Sequence, residues 1–223
     1  MGDGRSSARS SAAKGAGKKL RTGAPAEGSV TTHRVRSAQR VRIIGGQWKR
    51  TLLPVSDAPG LRPTPDRVRE TLFNWIGHLI PRVETVHGLD LFAGTGALGF
   101  ELASRGAQRV TLIETNRRLV DQLTQTKRQL AAEQIEIVAG DALSLAARWP
   151  DASFDIIFID PPFDSALLAP ALAVATRLLS LDGLMYIESG VAIEPSTLTG
   201  DLQVVRRGRA GRVHFHLLRR GSR

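Results

Sequence analysis

Five short apolar runs separated by helix-like stretches dominate the chain from residue 86 onward. The runs are Val86–Phe92, Arg109–Ile113, Ile135–Val138, Phe154–Ile159 and Leu184–Glu188. Between them, Ala97–Arg105, Arg117–Ala131, a short stretch after Asp141, and Leu167–Leu179 read as helices. Apolar strands that alternate with helices fold into a parallel sheet covered on both faces, because only burial on both sides suits strands without polar alternation. The expected class is therefore α/β, Rossmann-like. The chain ends differently: Leu202–Arg207 and Val213–Leu218 flank a Gly/Arg/Ala turn and read as an antiparallel hairpin. In it Arg212, His214 and His216 make a basic hairpin; no third ligand accompanies the histidines, so no metal is expected.

Upstream of the alternation, Val41–Ile44 and Trp48–Val55 are expected to form a small hairpin. A helix follows, with Thr64 as N-cap and Pro65 at its first position; Val68, Leu72, Trp75, Ile76 and Leu79 lie on one face and Pro81 ends it. Residues 1–32 are rich in Gly, Ser, Ala and basic residues, lack apolar periodicity and are expected to be disordered. The division is thus a tail (1–32), a hairpin and helix (33–82) and a core (83–223). Of the net charge of +10, residues 1–42 contribute ten basic side chains against two acidic ones. A basic arm suits a polyanionic partner, since each Lys or Arg on a phosphate releases a condensed counterion. Cysteine is absent, which excludes disulfides and thiolate metal sites. With no membrane-length apolar run and no secretory signal, a cytoplasmic protein is expected.

The first run delivers Asp90-Leu91-Phe92-Ala93-Gly94-Thr95-Gly96-Ala97-Leu98-Gly99 into a helix. Glycines there let the backbone approach a ligand, and the helix start offers free N–H groups. Glu114 ends the next run, where a carboxylate can take both hydroxyls of a ribose. The pattern G-x-G-x-x-G fits a dinucleotide as well as S-adenosylmethionine. Asp90 favours the second, because it is placed to meet the amino-acid portion of that cofactor, whereas a pyrophosphate needs an uncluttered approach. Asp141, after the third run, suits the adenine amino group. The candidate cofactor site is Asp90, Phe92, Gly94, Thr95, Gly96, Glu114, Asp141 and Ala142.

The fourth run ends in Asp160-Pro161-Pro162-Phe163. An exocyclic base amine is a poor nucleophile because its lone pair is delocalised into the ring. The Asp160 carboxylate and the Pro161 carbonyl can each accept one of its N–H bonds, which turns the lone pair toward a sulfonium methyl and stabilises the charge that develops on nitrogen. Pro161 and Pro162 fix φ and remove competing donors. Phe163 can stack on a flipped base, worth about 1–3 kcal/mol. These four are the candidate catalytic residues.

Several segments together resemble the RsmD family of 16S ribosomal RNA (guanine-N2)-methyltransferases. They are Arg42-Ile43-Ile44-Gly45-Gly46-Gln47-Trp48, Gly60-Leu61-Arg62-Pro63-Thr64 and Asp66 through Trp75, with Asp90–Gly99, Asp160–Phe163 and Tyr186-Ile187-Glu188-Ser189. The resemblance covers about residues 40 to 220. It implies a class I methyltransferase fold with a mostly parallel seven-stranded sheet, S-adenosylmethionine as cofactor, and methylation of one guanine N2 in 16S rRNA or a partly assembled small subunit. The chain departs from the family at Lys49-Arg50-Thr51, where relatives often carry a Gly-Arg pair, and at Phe215, where an aromatic with a hydroxyl is common. Arg62, Arg67, Trp48, Lys49 and Arg50 are the candidate RNA contacts, with Trp48 offering a ring beside charge; Arg69 is a further cation of the same helix, and Asn74 a residue that can face the cofactor. A monomer without metal or membrane contact is expected.

An N6-adenine DNA methyltransferase shares the Asp-Pro-Pro-aromatic logic, but the chain leaves no room for a separate target-recognition domain. A non-catalytic RNA-binding assembly factor would not need both an intact glycine loop and an intact Asp160–Phe163 segment. An NAD-dependent oxidoreductase has no use for the second of these.

Overall fold

The computed structural model describes residues 40–55, 64–162, 165–198 and 201–221. All of them belong to one compact unit, Arg36–Arg223. The expected tail (1–32), Arg62 and Phe163 lie outside the described residues.

A two-stranded hairpin opens the described chain, β1 (Arg40–Arg42) against β2 (Leu52–Pro54), followed by helix α1 (Asp66–Leu79). The rest alternates: β3 (His87–Asp90), α2 (Ala97–Ser104), β4 (Arg109–Glu114), α3 (Arg117–Gln129), β5 (Ile135–Ala139), α4 (Ala142–Ala146), β6 (Phe154–Ile159), α5 (Leu168–Leu178), β7 (Leu179–Ser189), β8 (Leu202–Ala210) and β9 (Val213–Arg220). The large sheet has seven strands in the order β5-β4-β3-β6-β7-β9-β8. Strands β3 to β7 pair in parallel and the last two antiparallel. The apolar runs thus form the buried strands expected of them: Ile156, Ile157, Phe158 and Ile159 are all fully buried.

The order places β3 and β6 side by side although five elements separate them in the chain. The chain winds outward from β3 to β5, then returns to β6 and winds the other way. In open α/β sheets ligands bind at such a switch point, beyond the carboxyl ends of the strands. Asp90 and Asp160 flank it.

Two layers of side chains fill the two faces. One holds Leu89, Ile113, Ile157, Met185 and Ile187 under α4 and α5. The other joins the N-terminal hairpin and α1 to the sheet, with Val41, Ile43, Leu53, Leu72 and Phe73 against Phe100, Leu112, Phe158 and Tyr186. No helix of the described residues is long and apolar enough to cross a membrane.

Three local expectations are corrected. Thr64 does not cap α1: Pro65 takes the N-cap position without a side-chain bond, and the Thr64 hydroxyl reaches Glu188 on β7 at 2.7 Å. Strand β7 begins at Leu179, not Leu184, so Leu179 is extended rather than helical. The strand passes through Asp182-Gly183 as an irregularity, with Asp182 at φ 62° and a register shift opposite Phe154–Ile156. Arg69 is not on a solvated helix face. It is fully buried, and donates to Asp66 Oδ1 at 2.7 Å, Glu101 Oε2 at 3.4 Å, and the carbonyls of Arg42 and Thr64.

Glu101 is the other half of that arrangement. Its carboxylate also accepts the backbone N–H groups of Ile44 and Gly45, at 2.7 and 2.8 Å, and Nε of Arg105 at 2.9 Å. A buried carboxylate is tolerated only when its lone pairs are met in this way. The result ties hairpin, α1 and α2 together next to the glycine loop.

Candidate active site

The glycine loop follows β3 as the spacing predicts. Gly94 and Gly96 both take positive φ, 53° and 77°, and Gly96 is the N-cap of α2. A Cβ on Gly96 would stand 2.6 Å from Phe100 Cδ2 and Leu123 Cδ2. A Cβ on Gly99 would stand 2.9 Å from Leu112 Cδ1, so this glycine lets α2 lie close against β4. Thr95 is buried, and Phe92 is half-buried against the core under α5.

Carboxylates end four adjacent strands. Asp90 closes β3, buried, with Oδ2 accepting the N–H of Gly99 at 3.2 Å. Burial pushes its pKa up to about 7, opposed by that bond, and the charge on Glu114 adds to the rise. Glu114 closes β4 and braces the loop: Oε2 accepts Gly94 N–H at 2.9 Å and Oε1 accepts Asn116 N–H at 2.7 Å. Each of its oxygens keeps a lone pair for a hydroxyl. Asp141 follows β5 as the N-cap of α4; its Oδ1 accepts Ser144 N–H at 2.8 Å, which holds its pKa below the usual carboxylate range. Ala142, buried, starts that helix.

Asp160 follows β6. Ile159 pairs with Ile187, so the next residues, Asp160 and Glu188, face each other across the strand ends. Burial raises the Asp160 pKa well above the carboxylate range, and the charges of Glu188 and Asp90 raise it further. Glu188 is raised by burial as well, but Thr64 and Tyr186 oppose the rise, donating to its Oε1 at 2.7 and 2.8 Å. Two close carboxylates of this kind cannot both ionise cheaply. Thr64 lowers Asp160 as well, whereas the Tyr186 hydroxyl donates to Glu188, so the rise is the larger at Asp160. Tyr186 stays protonated, held up by burial and by the charge of Glu188.

Pro161 is buried and Pro162 exposed. The Pro162 carbonyl accepts the backbone N–H of Ser165 at 3.0 Å. Among the described residues none donates to the Pro161 carbonyl, which leaves it available to a substrate amine.

Asp90, Glu114, Asp160 and Glu188 form no ion pair with a basic side chain among the described residues. S-adenosylmethionine carries a sulfonium and an ammonium. A site built from unpaired carboxylates around a positive-φ glycine loop fits that charge.

The candidate RNA contacts divide. Lys49, Arg50 and Arg67 are exposed. Trp48 is corrected: it is 7% exposed and packs edge-on to Phe100, 6.5 Å between ring centroids, so it covers the core and offers little ring face to a base. Asn74 is exposed. Thr64, Tyr186 and Glu188 were not expected in the site. The segment Tyr186–Ser189 stood out only as part of the family resemblance, and nothing local in sequence tells that Glu188 points at a residue 28 positions earlier.

A seven-stranded sheet with this order, a glycine loop after β3 and the Asp160-Pro161-Pro162 turn after β6 are those of a class I S-adenosylmethionine-dependent methyltransferase. The comparisons agree. The family model described as "Conserved hypothetical protein 95" matches residues 41–219. Ribosomal RNA small subunit methyltransferase D of Escherichia coli (strain K12) is 42% identical over 183 residues, 81% of this chain and 90% of that protein. Its namesake in Haemophilus influenzae is 40% identical over 154 residues, 67% of this chain and 78% of that protein. Among solved structures, "Putative methyltransferase yhhF from Escherichia coli" superposes with a TM-score of 0.72 at 39% identity, covering 83% of this chain and all of that one. The putative methylase HI0767 from Haemophilus influenzae gives 0.67 at 32%, covering 82% and 100%. The chain belongs to the Conserved hypothetical protein 95 family, which is the RsmD family of the sequence resemblance.

Proposed function

We propose that this protein transfers a methyl group from S-adenosylmethionine to the exocyclic N2 amine of a guanine in 16S rRNA, flipped into the crevice between β3 and β6. The observation that carries the reading is Asp160 next to a Pro161 carbonyl that accepts from no described residue, at the switch point of the sheet. The names of the relatives, which are small-subunit rRNA methyltransferases, support the substrate class.

The cofactor, when bound, supplies an electrophilic methyl on sulfur. Asp90 receives its ammonium and Glu114 its ribose hydroxyls, while Asp141 and the start of α4 near Ala142 border the adenine. Gly94, Thr95 and Gly96 keep the loop low enough for this approach. Asp160 and the Pro161 carbonyl take the two N–H bonds of the guanine amine and so leave its lone pair turned away from them, toward the cofactor side of the crevice. With the cofactor held by these residues, the methyl would pass to that nitrogen as its bond to sulfur breaks, the bonding pair staying on sulfur. The nitrogen then sheds one proton, which the carboxylate of Asp160 accepts. The raised pKa of Asp160 suits this acceptance, and the nearby cation of the cofactor favours the ionised form beforehand. Phe163 is assigned to stacking on the base, and Arg62, Arg67, Lys49 and Arg50 to the RNA backbone.

The test is Asp160→Ala in purified protein. Methylation of 16S rRNA should fall below detection while calorimetric affinity for S-adenosylmethionine stays within a few-fold of wild type. Full turnover by the variant would remove Asp160 from the reaction.

A further inference from the structure

The β8–β9 hairpin, Leu202–Arg220, contains six arginines and two histidines but no aspartate or glutamate. Its two ends are treated differently. At the end away from the site, Arg219 pairs with Asp182 at 3.1 Å, and Arg220 donates to the carbonyls of Thr176 and Leu179. At the other end, Arg206, Arg207, Arg209 and Arg212 are exposed and form no ion pair among the described residues. Arg206 and Arg209 donate only to nearby carbonyls, those of Val205 and Gly211.

The register gathers this charge on one face. Arg207 stands opposite His216 and Arg209 opposite His214. The two histidine rings stack at 6.5 Å with 13° between planes. His216 is not a cation of this face: its Nε2 accepts the N–H of Ile193 at 3.2 Å, and burial first, then His214 and Arg207, lower its pKa. The charge of the face is that of its arginines, and no carboxylate among the described residues pairs with Arg207, Arg209 or Arg212, so an external anion is what this face lacks.

Its position gives the anion a source. On the inner side, His216 pairs with Ile187 and His214 with Ser189. Ile187 in turn pairs with Ile159, the residue before Asp160. At about 4.8 Å per strand, His216 lies about 10 Å from the Asp160 strand end and Arg207 about 14 Å. A polyanionic chain whose base occupies the crevice passes within that range.

The geometry points to the Arg207, Arg209, Arg212 and His214 face as a docking strip for the rRNA sugar-phosphate backbone beside the methylated nucleotide, and this rests on the reading of the chain as an rRNA methyltransferase. The strip positions RNA through phosphates and carries no base readout. Its removal therefore affects RNA binding, not cofactor binding or chemistry.

The experiment compares wild type with the triple variant R207Q/R209Q/R212Q, using transcribed 16S rRNA and partly assembled small subunits. Both proteins are titrated across salt, and methylation is scored in the same samples. Three lost phosphate contacts should reduce the slope of log affinity against log salt by about 2 to 3. Between 50 and 200 mM salt the wild type should then lose roughly 20- to 40-fold more affinity than the variant. The KM for RNA should rise, with kcat at saturating RNA and cofactor affinity unchanged. Lysine at the three positions should restore the slope, and R219Q/R220Q should leave it alone. Wild type that methylates rRNA alongside a variant with an unmoved slope would overturn the docking strip alone. Wild type that fails to methylate rRNA would instead overturn the functional reading on which the strip depends.

Discussion

Replacing Asp90 with Asn should make the protein more stable and less able to bind its cofactor, and the first effect should depend on pH. Asp90 is 2% exposed, and its pKa is raised from 3.8 to about 7, chiefly by burial. A carboxyl whose folded pKa exceeds its unfolded value holds its proton more tightly when folded. Below the unfolded value both states are neutral and nothing is lost. Between about pH 4 and 7 the unfolded chain ionises freely while the folded one does not, so stability falls as pH rises. At 1.36 kcal/mol per pH unit, the three-unit difference amounts to about 4 kcal/mol at pH 8. That is a ceiling, because hydration reaching the carboxylate relieves part of the cost. Asn keeps an oxygen for the Gly99 N–H and carries no charge. Urea unfolding of Asp90→Asn and wild type at pH 4, 6 and 8 should therefore give curves that nearly coincide at pH 4 and separate progressively, the variant being more stable. Calorimetric affinity for S-adenosylmethionine at pH 8 should fall at least tenfold, since the ammonium loses its counter-charge. A stability difference that stays constant from pH 4 to 8, or favours wild type at pH 8, would refute the argument that Asp90 is a buried charge held ready for a cation.

Glu114→Ala should weaken cofactor binding and loosen the loop, because it removes the proposed ribose acceptor together with the brace on Gly94 N–H; unchanged calorimetric affinity would take it out of the site. Gly96→Ala should do so more severely, since it forces a Cβ into φ 77° and to 2.6 Å from Phe100 and Leu123; wild-type affinity and stability together would contradict this. Arg69→Met should cost about 3–5 kcal/mol in urea unfolding, because it leaves Glu101 without its partner from α1 and orphans the Arg42 and Thr64 carbonyls. A loss under about 1 kcal/mol would show that this pair behaves like a surface ion pair.

Much of the fold was legible because its signals are local. Apolar runs such as Phe154–Ile159 become strands wherever they are covered on both faces, and Gly94 and Gly96 announce a positive-φ turn by residue type alone. The strand-end placement of the candidate residues was legible in the same way: Asp90 and Glu114 close β3 and β4, and Asp160 follows β6. What escaped depends on distant partners. Arg69 looks like a solvated cation until Glu101 arrives 32 residues later to pair with it. Thr64 looks like a helix cap until β7 brings Glu188 within 2.7 Å. Trp48 looks like a stacking platform until Phe100 closes over it. Leu179 looks like the end of a helix until it pairs with Phe154 on β6.

The central claim is tested most directly by mass-spectrometric mapping of 16S rRNA from a strain lacking this protein, complemented with either wild type or Asp160→Ala. The account predicts that one guanine N2-methyl group disappears in the deletion strain, returns with wild type and stays absent with the variant. An rRNA modification profile identical in all three strains would contradict it.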